Sequence, residues 1–181
     1  MLNNQSSFII IKKIISKDMN SQNKKSLKIL VYSIYIILLD QFSKLLVLNI
    51  FGFEKSKNII PKLLNITLVK NTGAAFSLFS NSTTFLTYTS IIASLILILI
   101  IVKSPPRTYF NLIGLSYLLG GTVGNGIDRV FKGYVLDFLE LVPITFPIFN
   151  IADISINIAI ILFIFDTIKT KNISFNTNKN I

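Results

Sequence analysis

Four stretches of the chain are apolar for about twenty residues each, and polar, mostly basic segments separate them. They run over about 27–51, 83–102, 109–127 and 148–168. Runs of that length match the hydrocarbon thickness of a bilayer, so each is read as a membrane-spanning helix. The second is the plainest, with no charge and an Ile/Leu-rich end. Pro105 and Pro106 stop it, because proline lacks a helix donor and clashes with the preceding turn. In the third, Gly120 and Gly124 form a small-xxx-small pair that allows close helix approach. Residues 52–82 break the pattern. LLNITLV (63–69) sets β-branched among apolar residues and predicts a short strand or two at the membrane surface. NTGAAFSLF (71–79) is small and uncharged, and leads back into the membrane. The loop 130–147 carries Lys132, Asp137, Glu140, Pro143 and Pro147.

The pattern predicts an all-α integral membrane protein with four transmembrane helices and one folded domain, 27–168. A basic tail precedes it (1–26) and another follows (169–181). The first 25 residues hold only short apolar runs, FIII (8–11) and II (14–15). These are too short for a signal-peptide core, and no small-residue cleavage site follows. They are read as a disordered or interfacial tail; a start at Met19 would leave only an NSQNKKS leader.

Composition agrees: the 181 residues are 51% hydrophobic, and mean hydropathy is +0.65. The net charge of +10, from 18 Lys+Arg against 8 Asp+Glu, would suggest a nucleic-acid partner in a soluble chain. Here the charges crowd at the span ends, where they set topology instead. Six lysines lie in the N-terminal stretch through Lys28, two basic residues sit in the Pro-Pro turn and three lysines follow the last span, against seven basic residues on the other side. Positive charge favours the cytoplasmic face, which puts both termini in the cytoplasm.

There is no Cys and no His. That removes thiol nucleophiles, imidazole bases and the commonest zinc ligands, and no cofactor or metal is expected. Acid–base chemistry then falls to eight carboxylates, of which Asp128 and Asp153 stand out. One closes the third span and the other opens the fourth, so both lie at one depth on the outer side. Ionisable groups in that setting are functional-site candidates. Asn125 and Asn150 each precede an Asp by three residues and share its helix face. Two carboxylates about 4 Å apart cost about 4 kcal/mol to ionise together at an effective dielectric near 20, so such a pair keeps one proton. The ionised member can activate a water while the protonated one polarises an amide carbonyl. Arg129 points about 100° away from Asp128, toward headgroups, loop carboxylates or substrate. On the first span, Asp40 and Lys44 are i, i+4 and can pair. They read either as a snorkelling lysine with its counter-ion or as support for a nearby site. A proton relay built on the same two Asp is the main rival; its carboxylates would sit nearer the midplane.

Five blocks carry a resemblance: DQFSK (40–44), NTGAAFS (71–77), GGTVGNGIDR (120–129), VLDF (135–138) and FPIFNIAD (146–153). In this order and spacing the chain resembles the lipoprotein signal peptidases, also called type II signal peptidases, over about 27–168. The resemblance implies a four-span membrane aspartic peptidase with a small extracytoplasmic β-cradle and a loop over the active site. It implies a diacylated bacterial prolipoprotein as substrate, cut just before its lipidated cysteine. The enzyme would be a monomer in the bacterial inner membrane, in contact with membrane lipid, with its site at the outer face. Carried over by position, Asp128 and Asp153 are the catalytic dyad, and Asn71, Gly73, Asn125, Arg129, Asn150 and Ala152 line the site. Asp40 and Lys44 are motif residues near it, and Asp137 orders the loop. The segment Asn157-Ile158-Ala159 lacks the Gly expected there, which bears on local packing.

Overall fold

The computed structural model describes residues 3–53, 56–74, 79, 82–106 and 108–179, with side chains between 19 and 171. Glu54, Lys55, residues 75–77 of the NTGAAFS block and Arg107 of the Pro-Pro turn lie outside the described residues.

The elements in order are α1 (Asn3–Phe51), β1 (Lys57–Ile60), β2 (Leu64–Asn71), α2 (Thr83–Lys103), α3 (Tyr109–Lys132), β3 (Val135–Leu141) and α4 (Ile151–Lys179). α1 is longer than the predicted first span: backbone expected as a disordered or interfacial tail is helical. The reason is local, since the chain holds no Gly or Pro before Gly52 and nothing intrinsic breaks the helix. α4 continues into the C-terminal tail for the same reason. It begins at Ile151, three residues later than predicted. α3 runs on past residue 127 to Lys132, so Asp128 and Arg129 sit inside its last turns. Gly133 ends it in the left-handed region at φ 75°, its N–H returning to the Arg129 carbonyl at 3.2 Å. At the other end Thr108 accepts from the Asn111 N–H and caps the helix.

Among the described residues, three helices are long and apolar enough to cross a membrane by length and composition: 19–51, 83–103 and 151–171. α3, with 24 residues, is about 36 Å long but more polar. It packs against α1, α2 and α4, and its surface is set by those neighbours rather than by lipid. Two glycines are required there. A Cβ on Gly121 would lie 2.5 Å from the Ala152 carbonyl oxygen, and one on Gly124 would lie 2.8 Å from Asp40 Oδ2. Ser33 donates across to the Ser116 carbonyl at 3.1 Å, and Ser26 to that of Ile101 at 2.7 Å. Buried Ile29, Ile101, Leu112 and Leu119 fill this end of the bundle.

At the opposite end lies a three-stranded antiparallel sheet, order β1-β2-β3. β3 falls inside the stretch expected to be only a loop. Its run VLDFLEL has buried positions from Val135 to Phe138, so proximity to the helices rather than alternation sets the pattern. Ile66, Leu68, Leu136 and Phe138 pack with Val47 of α1. Asp137 pairs in register with Val69, and Asn71 with Val135. The sheet thereby hangs Asn71 and Asp137 over the ends of α3 and α4.

Candidate active site

Two polar assemblies meet at this end of the bundle, one closed and one open. The closed one joins α1 to α3. Lys44, with no exposed surface, donates from Nζ to Asp40 Oδ2 at 2.8 Å and to Asn125 Oδ1 at 3.1 Å, and pairs with Asp128 Oδ2 at 3.0 Å. Asp40 also accepts from the Ala152 N–H at 2.9 Å. Asp128 is fully buried, and both its oxygens are occupied. Oδ1 accepts from Lys132 Nζ at 2.9 Å and Gln41 Nε2 at 3.3 Å; Oδ2 accepts from the Leu136 N–H at 3.1 Å. Two carboxylates and two ammonium groups cancel, which is what burial of charge demands.

The open assembly surrounds a cavity of about 730 Å³, within the range of small-ligand sites. Asn150 organises it. Its side chain accepts from the Asp153 N–H at 3.0 Å while its own N–H donates to Asp153 Oδ2 at 3.1 Å. This reciprocal capping box starts α4 where it does. The Asn150 amide also donates to Asp137 Oδ1 at 2.6 Å and to Asn125 Oδ1 at 3.0 Å. Asn125 in turn donates to Asp153 Oδ1 at 2.8 Å. Its orientation is forced, because Lys44 and the Asn150 amide both need an acceptor on the other side. Asn71 donates to Asp137 Oδ2 at 2.8 Å and accepts from the Gly73 N–H at 2.9 Å. Arg129 Nη2 donates to the Gly73 carbonyl at 3.0 Å and holds that turn down. Its buried Nε has no partner among the described residues.

The cavity wall includes Asn71, Gly73, Asn125, Arg129, Asp137 and Asp153. Asn150 and Ala152 lie behind it, fully buried. Asp40, Lys44 and Asp128 belong to the closed assembly and do not line the cavity. Asp137 does line it, although the sequence assigned it only to ordering a loop. Burial pushes its carboxyl up to about 7, and the charge of Asp153 adds to the rise. A signal was present in the sequence: an acid inside the apolar run VLDFL is a buried acid wherever that run packs.

Comparison with known proteins covers the same part of the chain. Residues 32–169 match the family described as signal peptidase (SPase) II. A lipoprotein signal peptidase of Parasynechococcus marenigrum is 44% identical over 131 residues, 72% of this chain and 82% of that protein. One from Synechococcus sp. is 41% identical over 144 residues, 79% of this chain and 95% of the relative. One from Enterococcus faecalis is 37% identical over 129 residues, 71% and 80% respectively. Among solved structures, a bacterial membrane enzyme determined in meso superposes with a TM-score of 0.73 at 34% identity, covering 79% of this chain and 88% of that one.

Proposed function

The chain belongs to the signal peptidase II family of membrane proteases acting on prolipoproteins, and from that premise we propose an aspartic mechanism carried by Asp137 and Asp153. This revises the expected dyad: Asp153 stays, and Asp137 takes the role given to Asp128. The reading rests on one observation. A single residue, Asn150, donates to Asp137 from its side-chain amide and to the Asp153 carboxylate from its main-chain N–H, and both carboxylates line one cavity. Asp128 is held between two ammonium groups with both oxygens taken, so it has no free lone pair for a water. It acts instead as a positioning residue.

The pair carries one proton, on Asp137, where burial and the neighbouring charge favour the neutral acid. Ionised Asp153 takes a proton from a water between the two, and the resulting hydroxyl adds to the scissile carbonyl carbon. The Asp137 proton passes to the carbonyl oxygen. Asp153 then gives its proton to the leaving amine, and Asp137 recovers one as the carbonyl reforms and the C–N bond breaks. Asn125 and Asn150 steady Asp153 through the cycle. Arg129 offers donors to substrate carbonyls at the rim.

The finer reading follows the same lines. The substrate carries diacylglycerol on the cysteine just after the cut. α3 is the fourth span, screened from lipid by its neighbours. The spanning domain covers 27–168, between basic cytoplasmic tails. The site faces outward from the bacterial inner membrane, and the enzyme works as a monomer among lipids. The test is cleavage of a diacylated prolipoprotein by the purified protein in detergent or lipid. Asp137→Asn and Asp153→Asn each abolish turnover, while Asp128→Asn retains some. Cleavage by Asp137→Asn, with none by a folded Asp128→Asn, would return the dyad to Asp128 and Asp153.

A further inference from the structure

Below the two carboxylates the cavity continues toward the membrane interior. Its wall there is Thr122 of α3 and Ile156 and Asn157 of α4, while Ser90 of α2 faces the cavity at the level of Gly126. α4 runs inward from Asp153, so Asn157, four residues on, lies about 6 Å deeper. Thr122 is three residues from Asn125, about 4.5 Å deeper on the outward-running α3.

The hydrogen bonding of Thr122 and Asn157 leaves groups open that the neighbouring hydroxyls close. Thr87, Thr89, Ser90 and Ser94 turn their hydroxyls back onto the carbonyl four residues earlier, as does Thr167. The Thr122 hydroxyl makes no such bond and has no hydrogen-bond partner among the described residues. Asn157 donates from Nδ2 to the Asp153 carbonyl at 3.0 Å. That carbonyl can only accept, so the amide is oriented with Oδ1 outward, an acceptor with no partner among the described residues. Asn157 is exposed on a helix apolar enough to span the membrane. Open polar groups of α3 and α4 thus face one cavity at membrane depth, where each unmet group is costly.

A signal peptide crosses the bilayer as a helix because helical pairing satisfies its own main chain. A water can reach a scissile carbonyl only after that segment is drawn out of the helix. The residues beside the cut then lose their intrahelical partners in a medium that offers none. We propose that Asn157 and Thr122 form a ledge that takes over main-chain hydrogen bonds of the last signal-peptide residues and holds them extended for cleavage. This deepens the proposed peptidase reading and rests on it. A depth of about 6 Å is about two residues of extended chain at ~3.3 Å each. The ledge therefore meets the second or third residue on the signal-peptide side of the cut. The open acceptor on Asn157 identifies the group it binds as an N–H. A diacylglyceryl group has no such donor; a peptide main chain does.

The experiment uses diacylated prolipopeptides in which the amide N–H of the second or third residue before the cysteine is replaced, one at a time, by an ester oxygen. Wild type loses about tenfold in kcat/KM with the ester at the recognised position, the loss of one hydrogen bond. Asn157→Leu loses about tenfold on the all-amide substrate and nothing further on that ester. Additive losses, or a wild type indifferent to both esters, overturn the ledge. Asn157→Ala is read in the same way if the Leu variant does not accumulate folded, and Thr122→Val gives a smaller loss in the same direction. A wild type that cleaves no prolipopeptide defeats the peptidase reading itself; a wild type that cleaves, with additive losses, defeats only the ledge.

Discussion

Replacing Asp137 with Asn separates what the fold gains from what the chemistry needs. The carboxyl is 2% exposed, and burial, with the Asp153 charge, lifts it from an ordinary 3.8 to about 7. A carboxyl raised in this way holds its proton more tightly folded than unfolded. Its contribution to stability is full below the ordinary value and gone once pH passes about 7. From pH 5 to the folded value is about two units, and at about 1.36 kcal/mol per unit the wild type loses about 2.7 kcal/mol of stability between pH 5 and 8.5. An amide side chain does not titrate, so Asp137→Asn lacks this loss. For a chain of this size about 1 kcal/mol moves Tm by about 2–4 °C. The Tm difference, variant minus wild type, therefore grows by roughly 5–10 °C from pH 5 to pH 8.5. The substitution removes one acceptor facing Asn71 or Asn150, which offsets the absolute Tm at every pH but leaves the difference intact. Thermal unfolding in detergent by tyrosine fluorescence or circular dichroism reads the effect, beside a gel assay of prolipoprotein cleavage. Parallel pH curves for the two proteins, or turnover by the variant, would refute the reasoning.

Three further outcomes are expected. Asp128→Asn weakens its two ammonium contacts and costs about 1.5–3 kcal/mol of stability, read by thermal unfolding, with turnover above that of Asp153→Asn. Lys44→Met leaves Asp40 and Asp128 buried with one cation fewer and costs about 3–5 kcal/mol; adding Asp40→Asn recovers part of that Tm loss, whereas simple additivity of the two changes would count against the network. Gly121→Ala pushes α3 from α4 at the Ala152 carbonyl, costs about 1–3 kcal/mol, and lowers kcat because the next residue is Asp153.

Three apolar spans were legible because lipid imposes a strong rule on composition, while α3 is helical where a span was expected but falls short of their apolarity. The span ends were less legible. Residues 3–25 and 169–179 are polar yet free of Gly and Pro, and polarity alone did not reveal that helix continues through them. The closed assembly was half visible: Asp40 and Lys44 announce a pair by spacing, but the third member, Asp128, is far from Lys44 in sequence and joins only through the α1–α3 contact. In the sequence, Asp128 pairs with Asp153 by shared depth, by the Asn three residues before each, and by position within the family blocks, none of which tells which way a carboxylate faces. Asp128 is turned by Lys132 and Leu136, Asp153 by Asn125 and Asn150, and Asp137 arrives only because β3 brings it back over the helices. That last step is a long-range sheet pairing with β2, which no local pattern around VLDF announces.

α3 also bears on how the protein is built. Its five glycines, Asn125, Asp128 and Arg129 leave it short of the apolarity by which a helix partitions into lipid unaided. α2, uncharged until Lys103 and mostly bare of protein contacts, has apolarity to spare, and only the turn around Pro105 and Pro106 separates the two. α3 is therefore expected to enter the bilayer as the second arm of a hairpin with α2. In a membrane-integration assay with position tags, α3 alone should remain outside and the α2–α3 pair should go in; insertion of α3 alone would count against this order of assembly. The helix that carries half of the polar machinery would then be the one the membrane accepts last, and only in company.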